Sequence, residues 1–396
     1  MQPECIPLFQ HPFFARNDFA TEAWWQAFQQ PLQFKQHENS QTCVFLWRQH
    51  DDIQHVYIDV YSQTPSIYQT WNAFKKIPDS DVFYYTLELP HDWSGSYVIV
   101  ESNTPAPNSA DKRERRLWWQ AQLQHSLQDP HNLYPAYRAS MARLVNQCHL
   151  NRVYLPEKPL DFISSSCQFD DLSVHIVTMG ELTPESPTVL LLDGQWWCHD
   201  LSILEQIAQQ TQTQTWQAAR YIFIHTQQRQ KYYGCVDAFH HLLVQQLFPY
   251  LQNLDPSFNP KHCIVVGQSL GATAALHFAL NTPQHIQGLI LQSGSYWWSD
   301  FSQSQYVFQG STLLQHLQRA PQTLSHVKHI SMSAGSLETD MRQDAVHLFQ
   351  ALQATTQVEF QIFSGGHDAI HWRKDLLRQL DGHLTHPLSH RKERCI

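Results

Sequence analysis

A serine between two glycines is the strongest catalytic signal in this sequence. The segment CIVVGQSLGATAALHFAL predicts a strand, a tight turn and a helix, and Gly267, Ser269 and Gly271 match G-x-S-x-G at the turn. In this nucleophile elbow, glycines flank a serine with strained backbone dihedrals while strand and helix pass close together. The chain has only 13 glycines, so a chance match is uncommon. We predict that Ser269 is a nucleophile.

A serine hydroxyl also needs a histidine to accept its proton and a carboxylate to orient that histidine. On this elbow the chain order is serine, acid, histidine. The last predicted strand, VEFQIF, runs into SGGHD, which makes His367 the predicted general base. The strand before it runs into AGSLETD, where Glu338 is the preferred acid and Asp340 the alternative. Both carboxylates would also suit the first turn of a helix, and Asp368 is a further group that could orient His367.

The transition state of acyl transfer needs two backbone N–H groups for its oxyanion. Leu270 supplies one by position, because it follows the nucleophile. The loop DGQWW, after the predicted strand TVLLLD, would supply the other from Gly194 or Gln195. A plain turn capped by Asp193 is the alternative interpretation of this loop.

The sequence carries no recognisable metal motif. His371 lies four residues after His367, as two ligands on a helix would, but no H-E-x-x-H motif or further ligand cluster lies nearby. The 8 cysteines contain no C-x-x-C pair. We predict no metal and no cofactor, and we interpret the cysteines as buried free thiols of a reducing cytosol.

The elements that would position these residues follow Thr188. Six apolar runs alternate with helical stretches: TVLLLD, YIFIH, CIVVG, GLILQ, HISMS and VEFQIF. Unalternated strands between helices predict an α/β fold with a mostly parallel sheet buried on both faces. The predicted catalytic residues all follow strand ends, the edge at which such sheets bind ligands.

The N-terminal part has a different pattern. Between residues 42 and 100, the runs TCVFLWR, HVYIDVYS, VFYYTLELP and GSYVIVES predict a small β-sandwich. The basic run KRERR at 112–116 is interpreted as a solvated helix face. The segment LPEKPLD then predicts a boundary near residue 150. We predict a sandwich domain with a basic linker over 1–150 and a catalytic domain over 151–396.

Composition excludes several classes of protein. With 396 residues, 42% hydrophobic and only 15% charged, the chain is long and apolar enough for two or three folded domains, which excludes general disorder. A formal net charge of −9 provides no overall field for nucleic acid. No apolar segment is long enough to span a membrane. The first residues lack a secretory-signal pattern, so we predict a cytoplasmic location.

Five motifs in order, LLDGQWW, GQSLGATAAL, LQSGSYWW, AGSLETDM and GGHDAIHWR, resemble the enterochelin esterase family. VFLWR, VFYYTLELPHDWSGSYVIV, DPHNLYP and AYRASM resemble its first domain. The resemblance implies an α/β-hydrolase fold preceded by an immunoglobulin-like β-sandwich. It also implies a cytoplasmic serine esterase that cleaves the trilactone of ferric enterobactin or a related catecholate siderophore and so releases iron. Ser269, His367 and Glu338 match the family's nucleophile, base and acid.

A ferric tris-catecholate is a bulky trianion, so its site would combine fixed positive charge with flat aromatic surfaces. Arg229 matches an arginine that the family places against a catecholate, and Lys231 lies close by. Four tryptophans follow strand ends and would line the crevice, although each is also typical of a core: Trp196, Trp197, Trp297 and Trp298. The chain reads RQKYYG where the family has Glu-Leu after this arginine, a change that would bear on substrate preference.

Two alternative functions stay open from the sequence. One is an esterase for feruloyl or other aryl esters with a carbohydrate-binding N-terminal domain. The other is a siderophore-binding protein with little hydrolysis. The sequence leaves the oligomeric state, the cyclic or linear preference and the need for bound iron unspecified.

Overall fold

The chain divides into two compact units, Met1–Tyr154 and Leu155–Ile396. The computed structural model describes residues 8–50, 52–138, 144–150, 163–201, 203–213, 215–234, 237–298 and 313–385. The segment LPEKPLD at 155–161, on which the predicted boundary rests, lies outside these ranges.

The first unit contains two four-stranded antiparallel sheets with the strand orders β1-β2-β5-β4 and β3-β6-β8-β7. The strands are β1 (Leu32–Gln36), β2 (Ser40–Arg48), β3 (His55–Val60), β4 (Lys75–Lys76), β5 (Val82–Pro90), β6 (Ser94–Ser102), β7 (Tyr137–Arg138) and β8 (Leu144–His149). Four of them contain the runs that the sequence predicts as strands, so the predicted β-rich character of this part is confirmed.

Side chains from both sheets meet in a shared core in the first unit. Phe45 of β2, Ile58 of β3 and Tyr97 of β6 belong to the same buried cluster, which makes the unit a β-sandwich. Trp47 and Trp93 are buried in that cluster too, as expected for core tryptophans.

One helix of this unit departs from its predicted character. The basic run lies on a helix, Lys112–Leu123, but Arg115 is buried. Its Nε donates to the Ile67 carbonyl at 2.5 Å, and its Cζ lies 4.1 Å from the ring centroid of Trp71. The interpretation as a solvated face is therefore wrong for Arg115, because a guanidinium stacked on an indole is covered by it.

The second unit is built on an eight-stranded sheet of order β16-β15-β14-β13-β11-β12-β10-β9. Its strands are β9 (Ile163–Phe169), β10 (Leu172–Met179), β11 (Thr188–Leu192), β12 (Ala219–His225), β13 (Cys263–Gln268), β14 (Ile286–Gln292), β15 (His329–Gly335) and β16 (Gln357–Phe363). The strands from β11 to β16 pair in parallel, and β9 and β10 are antiparallel at one edge. This is the α/β-hydrolase arrangement, and the predicted fold class is confirmed.

Helices connect these strands and cover the sheet. The α-helices of the described chain are α1 (Glu22–Gln26), α2 (Lys112–Leu123), α3 (Ile203–Gln212), α4 (Arg229–Tyr233), α5 (Asp237–Leu242), α6 (Phe248–Leu254), α7 (Leu270–Asn281), α8 (Leu313–Arg319), α9 (Thr339–Leu352) and α10 (Ala369–Leu384). Two π-helical turns, Trp196–Asp200 and Leu243–Leu247, follow β11 and α5. Within the described ranges, no helix combines the length and apolar character that a membrane crossing requires.

Candidate active site

The candidate nucleophile lies in a sharp turn between β13 and α7. Ser269 has φ 55° and ψ −121°, a left-handed conformation that is uncommon for a residue other than glycine. Its N–H donates to the Gln292 carbonyl at 3.0 Å, and its carbonyl accepts from the Ser295 N–H at 3.1 Å. These bonds fix the turn from the neighbouring strand end, so the Ser269 side chain projects from a rigid backbone.

The first glycine of the motif is needed for space. A Cβ on Gly267 would lie 2.2 Å from the Gly271 carbonyl oxygen, whereas a Cβ on Gly271 would lie no closer than 3.5 Å to any neighbouring atom. We expect Gly267→Ala to lower the free energy of unfolding by roughly 3 kcal/mol, because backbone must move to relieve the clash. Urea unfolding measures this loss. Gly271→Ala is the matched control, and its free energy of unfolding should lie within about 1 kcal/mol of the wild-type value. Equal losses in the two variants would contradict the steric argument.

The candidate acid and base meet at the ends of β15 and β16. His367 Nδ1 lies 2.6 Å from Glu338 Oε1. Glu338 is buried, and its Oε2 accepts from the Gly335 N–H at 2.5 Å and the Ser293 hydroxyl at 2.7 Å. Burial alone would raise the pKa of Glu338, but the hydrogen bonds and the nearby imidazole outweigh it and lower the pKa. The carboxylate is therefore charged at neutral pH and able to orient His367.

The other polar groups near His367 have different surroundings. Asp340 is exposed in the first turn of α9, where the helix dipole favours a carboxylate. Asp368 caps α10 and accepts from the Ile370 N–H at 3.1 Å. His371 stacks on Phe363 with ring centroids 5.5 Å apart. In the described part of the chain, no three His, Cys, Asp or Glu side chains are grouped so that they could hold a metal ion.

Within the described part of the chain, no hydrogen bond joins the Ser269 hydroxyl to His367. Among the described residues, the Ser269 hydroxyl is within hydrogen-bond distance of Ser295 Oγ, at 3.4 Å. Catalytic hydrogen bonds are often long before substrate is bound. Ser295 was not singled out from the sequence, although its place in the loop after β14 is a signal that could have found it.

The candidate oxyanion groups occupy two helix beginnings. Leu270 is the first residue of α7, so its N–H has no acceptor within the helix. Gly194 and Gln195 begin the helical turn after β11. A Cβ on Gly194 would lie 2.5 Å from the Phe223 carbonyl carbon, so only glycine allows this loop to lie against β12. The Gln195 side-chain oxygen contacts His225 Nδ1.

A buried ion pair holds the loop after β11. Asp193 is fully buried in a left-handed conformation, and it accepts from Arg229 Nε at 2.8 Å and a terminal Arg229 nitrogen at 2.9 Å. Burial alone would lower the pKa of Arg229, but the Asp193 carboxylate raises it overall. The same terminal nitrogen lies 3.5 Å from the Gln268 carbonyl, directly before the nucleophile. Arg229 thus links the candidate oxyanion loop to the elbow, and its proposed contact with a catecholate stays a prediction.

Removing this arginine would leave a buried carboxylate without its partner. We expect Arg229→Ala to lower the free energy of unfolding by roughly 3 kcal/mol, at the low end for a broken buried pair because the arginine is partly exposed. We also expect kcat to fall roughly tenfold as the loop loses its link to the elbow. Denaturant unfolding and steady-state kinetics measure the two effects.

Lys231→Ala is the matched control for that experiment. Lys231 pairs with Asp171 at 2.7 Å, but both side chains are about half exposed. Exposed pairs contribute little, so this variant should unfold like the wild type. If Arg229→Ala behaved like Lys231→Ala in both measurements, Arg229 would have no role in holding the loop.

The four predicted crevice tryptophans differ in exposure. Trp197 is fully buried and donates its indole N–H to the Leu192 carbonyl at 3.0 Å, so its prediction as a lining residue is wrong: it belongs to the core. Trp298 is half-buried against the core of this unit. Trp196 is largely buried near the Arg229 guanidinium. Trp297 is 52% exposed and is the one of the four with a large free surface.

Comparisons with known proteins agree with this architecture. A family model described as "Putative esterase" matches residues 181–383, and one described as "Enterochelin esterase, N-terminal" matches residues 42–158. The Iron(III) enterobactin esterase of Dickeya dadantii is 28% identical and covers 90% of this chain and 91% of its own length. That of Escherichia coli K12 is 26% identical over 93% of this chain and 98% of its own.

A solved structure shows the same fold. The enterobactin esterase from Shigella flexneri, crystallised in the presence of enterobactin, superposes with a TM-score of 0.78 at 24% identity and covers 92% of this chain and 98% of its own. The two family matches between them include both units of the chain, and the match at residues 42–158 is specific to one kind of esterase. The chain therefore belongs to the enterochelin esterase family and is an esterase of the α/β-hydrolase fold.

Proposed function

We propose that this chain is a serine esterase that hydrolyses the ester bonds of ferric enterobactin or a related catecholate siderophore. The observation that carries the reaction type is the 2.6 Å contact between His367 Nδ1 and the buried Glu338 carboxylate, at the same sheet edge as Ser269. Its relatives support the substrate class. Two iron(III) enterobactin esterases match this chain over nearly their whole length.

The first half of the reaction follows from these groups. The Ser269 hydroxyl attacks the ester carbonyl while the free nitrogen of His367, Nε2, takes its proton. Leu270 and the Gly194–Gln195 turn offer N–H groups to the oxyanion of the tetrahedral intermediate. When the ester C–O bond breaks, His367 returns the proton to the leaving alkoxide, and the acyl group stays on Ser269.

The second half repeats these steps with water. Water attacks the acyl carbonyl and gives a proton to His367. The bond to Ser269 Oγ then breaks, and the proton returns to the serine. The charged Glu338 stabilises the imidazolium that forms in both halves.

We also propose that residues 1–150 form an enterochelin-esterase-type sandwich domain and that 151–396 form the catalytic domain. The division of the chain into two compact units at Tyr154 supports this proposal. For location, we propose the cytoplasm. The five described cysteines are free, and burial raises the pKa of Cys43 to about 12, which suits a compartment where thiols stay reduced.

Incubation with ferric and iron-free enterobactin tests the substrate. We expect dihydroxybenzoyl-serine fragments, separated and identified by mass, with wild-type protein and none with Ser269→Ala. Cleavage of simple aryl esters without cleavage of either siderophore would keep the serine esterase and reject the substrate. Tight siderophore binding without cleavage of any ester would instead identify a binding protein.

A further inference from the structure

The candidate acid is held from behind by a residue outside the triad. Ser293 directly follows β14, is fully buried and donates its hydroxyl to Glu338 Oε2 at 2.7 Å. Together with the Gly335 N–H, this bond occupies the carboxylate oxygen that faces away from His367. The carboxylate cannot rotate about its own axis without losing two hydrogen bonds, each stronger than a neutral one because its acceptor is charged.

Ser293 is itself held by the helix that follows the candidate base. Its hydroxyl oxygen accepts from the Trp372 indole N–H at 2.9 Å. Trp372 is 4% exposed and lies in the first turns of α10, five residues after His367. The residue before Ser293, Gln292, donates its side-chain amide to the Trp372 carbonyl at 2.9 Å. Two consecutive residues at the end of β14 therefore hold one tryptophan by both its side chain and its backbone.

The same tryptophan also touches the base. The rings of His367 and Trp372 meet edge to face, with centroids 4.7 Å apart and planes at 88°. The Trp372 ring thus limits the rotation of the imidazole. Its N–H orients the Ser293 hydroxyl, which in turn holds Glu338.

Backbone conformation gives Ser293 a second unusual feature. Its φ is 47°, in the left-handed region, as it is for Asp193 and Ser269 at two other strand ends of this sheet. Non-glycine residues in this region carry strain that persists where the surroundings impose it, and such residues cluster at functional sites. Ser293 shares a positive φ with the nucleophile, one strand away.

We propose that Ser293 and Trp372 are positioning residues, which hold Glu338 and His367 in the register that proton transfer requires. The proposal rests on the serine-esterase function proposed above. Catalytic groups must be held within a fraction of an ångström of their productive geometry, and hydrogen bonds from surrounding residues supply that constraint. Ser293 acts through Glu338, and Trp372 acts through Ser293 and through the imidazole ring of His367.

Steady-state kinetics on p-nitrophenyl butyrate test the proposal without depending on a siderophore. We expect Ser293→Ala and Trp372→Phe each to lower kcat roughly tenfold with KM changed by less than about twofold. The double variant should also lose roughly tenfold rather than a hundredfold, because both changes break the same chain of hydrogen bonds. In a Glu338→Gln background, Ser293→Ala should cost less than about twofold, since the charged acceptor is already gone.

Two control variants remove similar groups from other places in the second unit. Ser333→Ala removes a buried hydroxyl of β15 that has no hydrogen-bond partner among the described residues. Trp216→Phe removes an indole N–H that donates to Asp381 at 2.8 Å, in another part of α10. Both should keep wild-type kcat. The proposal fails if these controls lose as much activity, if the losses appear in KM alone, or if they multiply in the Glu338→Gln background.

A spectroscopic readout separates this proposal from the proposed function. The proton in the His367–Glu338 hydrogen bond should give a downfield ¹H resonance in the wild type, which Ser293→Ala and Trp372→Phe should shift or broaden and the controls should not. If the wild type cleaves no ester, the proposed function fails and this resonance alone decides the positioning role. An unchanged resonance in both variants would overturn it. If Ser293→Ala does not fold, as judged by circular dichroism, Trp372→Phe decides the question.

Discussion

Replacing Ser269 by alanine is expected to lower kcat by roughly 10⁶-fold, to the level that binding and the oxyanion groups alone provide. The hydroxyl is the only protein group in the proposed mechanism that forms a covalent bond to the acyl carbon. The substitution removes one oxygen atom and leaves the backbone of the elbow in place, where the Ser269 N–H donates to the Gln292 carbonyl and the Ser269 carbonyl accepts from the Ser295 N–H. Substrate affinity should therefore change little, and isothermal titration with ferric enterobactin measures it.

Ser295→Ala is the matched control for that experiment. Ser295 Oγ lies 3.4 Å from Ser269 Oγ, in the loop after β14, but the mechanism gives it no covalent step. Its loss should cost no more than roughly tenfold in kcat. Retention of substantial hydrolysis by Ser269→Ala, after removal of trace wild-type enzyme, would show that another group is the nucleophile.

Glu338→Gln is the second large change, with an expected loss of roughly 10³- to 10⁴-fold in kcat. The amide keeps the shape of the side chain but removes the charge that stabilises the imidazolium and favours the right tautomer of His367. Steady-state kinetics at neutral pH measure this loss.

Asp340→Asn controls for the removal of a carboxylate and tests the alternative acid. Asp340 is exposed at the start of α9, so its loss should change kcat less than about twofold and stability by no more than about 1 kcal/mol. A large loss in Asp340→Asn together with a small one in Glu338→Gln would reverse the assignment.

Glu338 also gives stability a pH dependence of known sign. Its pKa in the folded chain is lowered, with the hydrogen bond from His367 the largest of the lowering causes. A group with a depressed folded pKa contributes stability that is present above its unfolded pKa and is lost as pH falls through the folded value. The free energy of unfolding of the wild type, measured with denaturant, should therefore fall on the acid side of the ordinary carboxyl range. The contribution of Glu338 to this fall should be missing in Glu338→Gln.

The local sequence was enough to find most strands of the sheet and the elbow. Runs such as CIVVG and GLIL are apolar over their whole length because parallel strands are covered on both faces, and this pattern can be recognised from consecutive residues alone. The first two strands of the sheet were missed. The strand β9 reads ISSSCQF and is largely polar and partly exposed at the sheet edge, so neither alternation nor an apolar run indicates it.

The candidate site was predictable only where one segment carries the whole pattern. G-x-S-x-G lies in five consecutive residues, and its constraint is local because strand and helix meet at that turn. The order of serine, acid and histidine along the chain then points to Glu338 and His367. Trp197 shows the limit of this reasoning, since a tryptophan after a strand end can turn into the core as readily as into a crevice.

The pairing of side chains that are far apart in sequence depends on how the strands and helices are arranged in the fold. Arg229 meets Asp193 across 36 positions, and Trp372 meets Ser293 across 79. Nothing within either segment specifies its partner, because the side chains become neighbours only when β11 pairs with β12 and when α10 packs beside β14. The amino-acid sequence thus predicted the fold and the family, which are confirmed, and it proposed the chemically active side chains, whose roles stay predictions. Their mutual distances, and the use of Arg229 as an ion-pair partner of a buried carboxylate, follow from packing that no local pattern encodes.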